Sequence, residues 1–146
     1  MVRKEVDNLT TTNSTNAATQ WANSSQKAFS KHLNEFRSLF NLGLLTMEER
    51  LSAAANSHSV DMATIGFFSH TSPVKNKKSP SDRARLAKFQ HRWTGENIFV
   101  GSGSPVTAYN AWFASDGHRF IMFAKSPNLI GICLLYTSPS PRDSGK

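Results

Sequence analysis

Apolar residues are unevenly distributed along this chain. Residues 1–25 are rich in Thr, Asn and Ser and almost free of branched apolar side chains. Such a segment buries too little surface to offset the entropy of ordering it, which predicts a flexible leader. It holds Asn-x-Ser/Thr triplets at Asn8, Asn13 and Asn23. From about Gln26 the pattern turns helical. Phe29, Leu33, Phe36 and Phe40 fall at i, i+4, i+7 and i+11, one stripe of a helix, and Asn41 and Gly43 supply its stop. Thr46-Met-Glu-Glu49 reads as a capping box. It opens a second helix that buries Leu51, Ala54, Ala55, His58, Met62 and Ile65 and stops at Gly66.

Ser79-Pro80 marks a third helix start, with Leu86 and Phe89 facing inward. Ser104-Pro105 repeats the signal ahead of Val106, Tyr109, Trp112 and Phe113. Between and after these helices, Glu96–Val100 and Asn128–Ile132 read as strands. Helices alternating with short strands predict an α+β layer fold. At 146 residues the chain fits one domain, placed over residues 26–132. No apolar run approaches the roughly 20 residues that span a bilayer, and the first residues contain no apolar signal core. The single cysteine, Cys133, excludes an internal disulfide and a thiolate zinc cluster.

The last stretch, 133–146, reads as a separate, non-native or disordered tail. Cys133-Leu-Leu-Tyr-Thr-Ser-Pro-Ser-Pro-Arg-Asp143 looks like the translation of a sequencing adapter, so the native chain is expected to continue differently after about Ile132.

Charge adds one question. The formal net charge is +7. Lys75–Arg92 holds seven basic residues and one acid, Asp82, a net +6. A nucleic acid or an anionic envelope polymer would suit such a segment. No aromatic residues interleave as a base-stacking platform requires, which speaks against nucleic acid and for a solvated loop and helix face.

Phosphate-loop, zinc-protease and nucleophile-elbow motifs are absent from the sequence. What remains is His70 after the Gly66 stop, Glu96 opening a strand and His118 after the Trp112 helix, at gaps of 26 and 22 residues. Neutral imidazole is a zinc ligand, and a carboxylate beside a metal-bound water acts as a general base. The gaps match no local ligand spacing. His58 lies on the apolar stripe of the second helix and reads as a core or cleft-wall histidine; His32 and His91 read as solvated. Trp93, Trp112, Phe67 and Phe68 read as core.

Leu33-Asn-Glu-Phe-Arg37, Ala54-Ala-Asn-Ser-His-Ser-Val-Asp-Met62, Gly66-Phe-Phe-Ser-His-Thr-Ser-Pro73, Gly95-Glu-Asn-Ile98 and Trp112-Phe-Ala-Ser-Asp-Gly-His-Arg119 follow one another in order. As an ordered set they resemble the bacterial branch of the CAP superfamily (cysteine-rich secretory protein, antigen 5, pathogenesis-related 1), or SCP domain, over about Lys31 to Ile132. The resemblance implies an α–β–α sandwich with a small, mainly antiparallel sheet, whose final strands would lie beyond Ile132. It implies an extracellular or cell-envelope protein with a cleft for zinc or another divalent cation. Carried over by position, the metal histidines are His70 and His118 and the cleft glutamate is Glu96. The family's second glutamate position holds Ser115, so a mechanism needing two carboxylates is in doubt. Asn97 ties down the loop after Glu96, and His58 and Ser115 support the cleft.

Two functional classes stay open. In one, the chain is a ligand-binding module for a lipid, a peptide or an envelope glycan. In the other, it is a zinc-dependent hydrolase in which Glu96 activates a metal-bound water. Ser115 in place of the second acid favours the binding module, and Glu96 is read as the residue that orients a histidine.

Overall fold

A computed structural model describes residues 21–92, 94–101 and 104–133. Asn8, Asn13, Trp93 and the tail after Cys133 lie outside the described residues.

The first helix, α1, spans Ser24–Leu39 and starts two residues before the apolar pattern suggests. Its cap is Asn23. The Asn23 side chain accepts from the Gln26 amide at 2.8 Å, and the Gln26 side chain accepts from the Asn23 amide at 2.7 Å, a reciprocal capping box. Ala22 is buried just ahead of it, and Trp21 packs on the same core. Phe29 and Leu33 are buried as the stripe predicts. Phe40 is not: it is the C-cap and stands 54% exposed.

Strand β1, Thr46–Met47, precedes helix α2, Glu49–Asp61. Thr46 therefore does not cap α2. Its amide donates to the Asn128 carbonyl at 2.9 Å, and that of Glu48 donates to Ile130 at 2.8 Å, so this backbone belongs to the sheet. Glu48 caps instead, its carboxylate accepting from the Leu51 amide at 2.9 Å. α2 then widens into a π-helical turn, Met62–Gly66, ending where Gly66 takes φ +88°. The wider turn shifts side chains off the 3.6-residue period, and Ile65, expected inside, is 54% exposed.

Helix α3 is Pro80–Leu86, capped by a Ser79–Asp82 box; Phe89 is buried behind it and Leu86, its last residue, is exposed. Helices α4 (Pro105–Phe113) and α5 (Asp116–Met122) follow, then strand β2 (Leu129–Ile130).

β1 and β2 pair in parallel, Thr46 opposite Leu129 and Met47 opposite Ile130. Among the described residues the sheet is this one parallel pair, where a mainly antiparallel sheet was expected. The chain between the two strands is a long helical crossover, the connection parallel strands require. Glu96–Val100, expected as a strand, is irregular, because no described backbone pairs with it.

The layers follow from the two-residue period of β2 and its extension. Ile130 and Ile132 join the core with Phe29, Leu33, Tyr109 and Met122 from α1, α4 and α5. Gly131, between them, faces the backbone of Leu51 in α2. Helices thus cover both faces of a small sheet, and the fold is α+β. Ile132 is held from both sides: Gln26 Nε2 donates to its carbonyl at 2.6 Å, and its amide donates to Ser52 Oγ at 2.9 Å.

Candidate functional site

The loop between the π turn and α3 carries His70, and the irregular segment before α4 carries Glu96. His70 Nδ1 lies 2.8 Å from Glu96 Oε1. A carboxylate only accepts, so the imidazole donates through Nδ1 and leaves Nε2 with the lone pair when the ring is neutral. Behind Glu96 sits Arg83 of α3, its side chain 2% exposed. Arg83 Nη2 donates to both oxygens of Glu96, at 2.9 and 2.8 Å. Its Nη1 donates to the carbonyls of His70, Lys77 and Lys78, at 3.1, 2.9 and 3.3 Å.

His118 belongs to α5. Its Nδ1 shares a 2.8 Å hydrogen bond with the hydroxyl of Ser115, the residue before the helix. Asn97 Nδ2 donates to the His118 carbonyl at 3.1 Å. Glu96 and Asn97 are neighbours in sequence, so one dipeptide holds the His70 loop on one side and α5 on the other. Trp112 Nε1 fixes the next residue by donating to the Ile98 carbonyl at 2.9 Å.

In both histidines Nδ1 is engaged, and neither Nε2 has a hydrogen-bond partner among the described residues. Imidazole nitrogens left open in this way are of the type that suits a borderline divalent cation. Among the described residues no group of three or more His, Cys, Asp or Glu is placed to hold a metal ion. Water would have to complete any coordination sphere there.

His58 is separate from both pairs. It is 2% exposed, and its Nε2 donates to the Ser69 carbonyl at 2.8 Å. Burial lowers its pKa, and the nearby Arg83 charge works the same way; the Ser69 carbonyl, Glu96 and Asp61 oppose the shift. Its Nδ1 and the Asn97 Oδ1 are buried without a partner among the described residues. Both residues, with Arg83 and Glu96, border a groove of about 2050 Å³ whose remaining wall is largely apolar, including Leu51, Met62 and Ile98. His70 and His118 do not line that groove. Glu96 joins the His70 pair to the groove, and Asn97 joins the groove to the His118 backbone.

Arg83 is the residue that sequence reasoning missed, because it was counted within a solvated basic segment. That segment is only partly solvated. Lys77 pairs with Asp61 at 3.1 Å and is half-buried, whereas Lys75, Lys78, Lys88 and Arg92 are exposed and make no ion pair among the described residues. The signal was present: Pro80, Arg83, Ala84 and Ala87 share a helical face (i, i+3, i+4, i+7) that is apolar except for the arginine. His32, expected in solvent, is half-buried edge-on to Tyr109 at 4.4 Å. Phe68, expected in the core, is 53% exposed.

A sequence model of the cysteine-rich secretory protein family, CAP, matches residues 30–140, well over half of the chain. The uncharacterized protein YkwD of Bacillus subtilis (strain 168) is 32% identical over 108 residues, covering 74% of this chain and 41% of its own length. A crystal structure of an extracellular protein containing an SCP domain from Bacillus anthracis str. Ames superposes with a TM-score of 0.68 at 30% identity, over 72% of this chain and 35% of that one. An outer surface protein of Borrelia burgdorferi superposes with a TM-score of 0.66 over 82% of this chain and 84% of its own, and at 19% identity it shows the fold alone. The chain thus spans well under half the length of the two Bacillus proteins. With the ordered motifs, the layered α+β fold and a family match of this extent, the chain belongs to the cysteine-rich secretory protein (CAP) family and carries an SCP domain similar to those of bacterial extracellular proteins.

Proposed function

We propose that the chain is an extracellular or envelope ligand-binding module whose His70 and His118 hold a divalent cation, zinc foremost, through Nε2. The observation that carries this reading is the state of Glu96. Its two oxygens are taken by Arg83, and one of them also accepts from His70. A carboxylate so committed orients a histidine; it is poorly placed to take a proton from water, which disfavours the hydrolase. Bound there, the cation would supply a fixed positive charge beside the groove. The apolar wall of the groove suits a lipid or an apolar peptide better than a glycan.

Calorimetric zinc titration of the full chain tests the metal reading, with circular dichroism to confirm folding. Binding is expected in the wild type and absent in both His70→Ala and His118→Ala. A folded wild type that binds no zinc overturns it. Turnover assays with ester and peptide substrates at saturating zinc address the hydrolase. No turnover above blank is expected, whereas turnover abolished in Glu96→Gln with zinc binding intact would establish the enzyme instead.

A further inference from the structure

We propose that Arg83 is the positioning residue of the His70 site: by holding both oxygens of Glu96 it locks His70 in the Nδ1–H tautomer and keeps the carboxylate out of metal coordination, so that the site takes an imidazole-preferring cation and refuses a hard one such as magnesium. The tautomer half stands on contacts within the chain; the selectivity half rests on the metal reading above.

Among the described residues, Arg83 faces the carboxylate of Glu96. Its guanidinium is almost wholly buried, one nitrogen is spent on three backbone carbonyls, and the other faces Glu96. Releasing Glu96 would strand a buried positive charge, which is strongly unfavourable. Arginine suits the position for a reason lysine does not share. Its planar fork reaches the His70–Lys78 loop and Glu96 at once, whereas an ammonium is a single point on a flexible stem. Held in this way, Glu96 presents Oε1 to His70 as a fixed anionic acceptor, and the imidazole must answer with Nδ1–H. The His70 side chain is about half exposed, and Nε2 is then the nitrogen free to bind.

The consequence for ligand choice follows from donor chemistry. Magnesium and calcium need several oxygen ligands, and carboxylates above all. Among the described residues the carboxylate bonded to His70 is Glu96, already committed to Arg83, and His118 is bonded to a hydroxyl instead. What is left is neutral imidazole, which suits zinc, copper and nickel.

Long-range ¹⁵N–¹H NMR of the histidine side chains in the full chain, above the imidazole pKa, reads the tautomer directly. Wild-type His70 is expected wholly as Nδ1–H. In Arg83→Lys, and independently in Glu96→Gln, which leaves the Arg83 bonds to the loop carbonyls in place, a mixture of both tautomers is expected. A single Nδ1–H form surviving in a folded Glu96→Gln, or an Nε2–H form in the wild type, overturns the tautomer lock whether or not the Arg83 variant folds. Calorimetry with zinc and then with magnesium tests selectivity. Zinc binding at least tenfold tighter than magnesium is expected in the wild type, with the ratio narrowing in Arg83→Met. Equal binding in the wild type, or an unchanged ratio in a folded Arg83→Met, overturns the selectivity. A wild type with locked His70 that binds no zinc overturns the metal reading and the selectivity drawn from it, and leaves Arg83 as the positioning residue.

Discussion

Gly131 rests on the backbone of Leu51: a Cβ at residue 131 would lie 2.2 Å from the Leu51 carbonyl carbon and 2.5 Å from its oxygen. Those are main-chain atoms of α2 that no rotamer change can move. The helix covering this face of β2 therefore sits at a distance set by a hydrogen atom.

Gly131→Ala must push α2 off the sheet extension and is expected to cost about 3 kcal/mol, the upper part of the overpacking range. Gly117→Ala is the contrasting case. Gly117 lies within α5, and a Cβ there meets nothing within 4 Å. Replacing a helical glycine with alanine in open space should gain about 0.5–1 kcal/mol. Urea denaturation of the two variants beside the wild type checks both signs.

Asn34 makes a two-way clasp with Leu45. Asn34 Nδ2 donates to the Leu45 carbonyl at 2.9 Å, and the Leu45 amide donates to Asn34 Oδ1 at 2.8 Å. Both residues are buried. Asn34→Ala leaves a buried amide and a buried carbonyl unpaired and is expected to cost about 3 kcal/mol, read as a fall in the denaturation midpoint with no change in slope.

His58 makes stability depend on pH with a definite sign. Burial holds its folded pKa below the ordinary histidine value, so the unfolded chain binds the proton more readily. Its contribution to stability is present in full above the unfolded pKa of about 6.5 and is lost as pH falls through the folded value. Stability measured from pH 8 down to pH 5 should fall more steeply in the wild type than in His58→Gln. Parallel curves would show that His58 does not titrate on unfolding.

Much of the fold was legible in the sequence because it rests on local rules. The Phe29–Leu33 stripe, the Ser79-Pro80 and Ser104-Pro105 starts and the Gly66 stop each depend on residues within a turn of one another. What escaped depends on distant partners. On α1, the polar residues Gln26, Ser30, Asn34 and Arg37 lie outside the apolar stripe, yet all four are buried. Arg37 donates to the carbonyls of Gly43, Met122 and Ala124, at 2.8, 2.8 and 3.0 Å. A carbonyl has no identity in sequence, so nothing in the letters marks it as the partner of an arginine 85 residues away. Thr46 fails as a cap for the same reason, since its amide is claimed by Asn128.

The candidate site divides along the same line. His70, Glu96 and His118 were found through ordered motifs, and the structure joins His70 to Glu96 and His118 to Ser115. Arg83 stayed hidden because a buried arginine and a surface arginine look alike until the carboxylate that holds it is placed in space.

The double hold on Ile132 carries a consequence for biosynthesis. Gln26, in the first turn of α1, completes its side-chain bond only with a carbonyl 106 residues further along. At ribosomal rates of about 5–20 residues per second, that partner is made about 5–20 s after the helix itself. Throughout that interval α1 exists without its latch, and the parallel pairing of Thr46 with Leu129 is equally deferred. The nascent chain therefore packs α1 against α4 and α5 before its latch exists, and the first turn of α1 and β1 are tied down only when residues 129–132 are made.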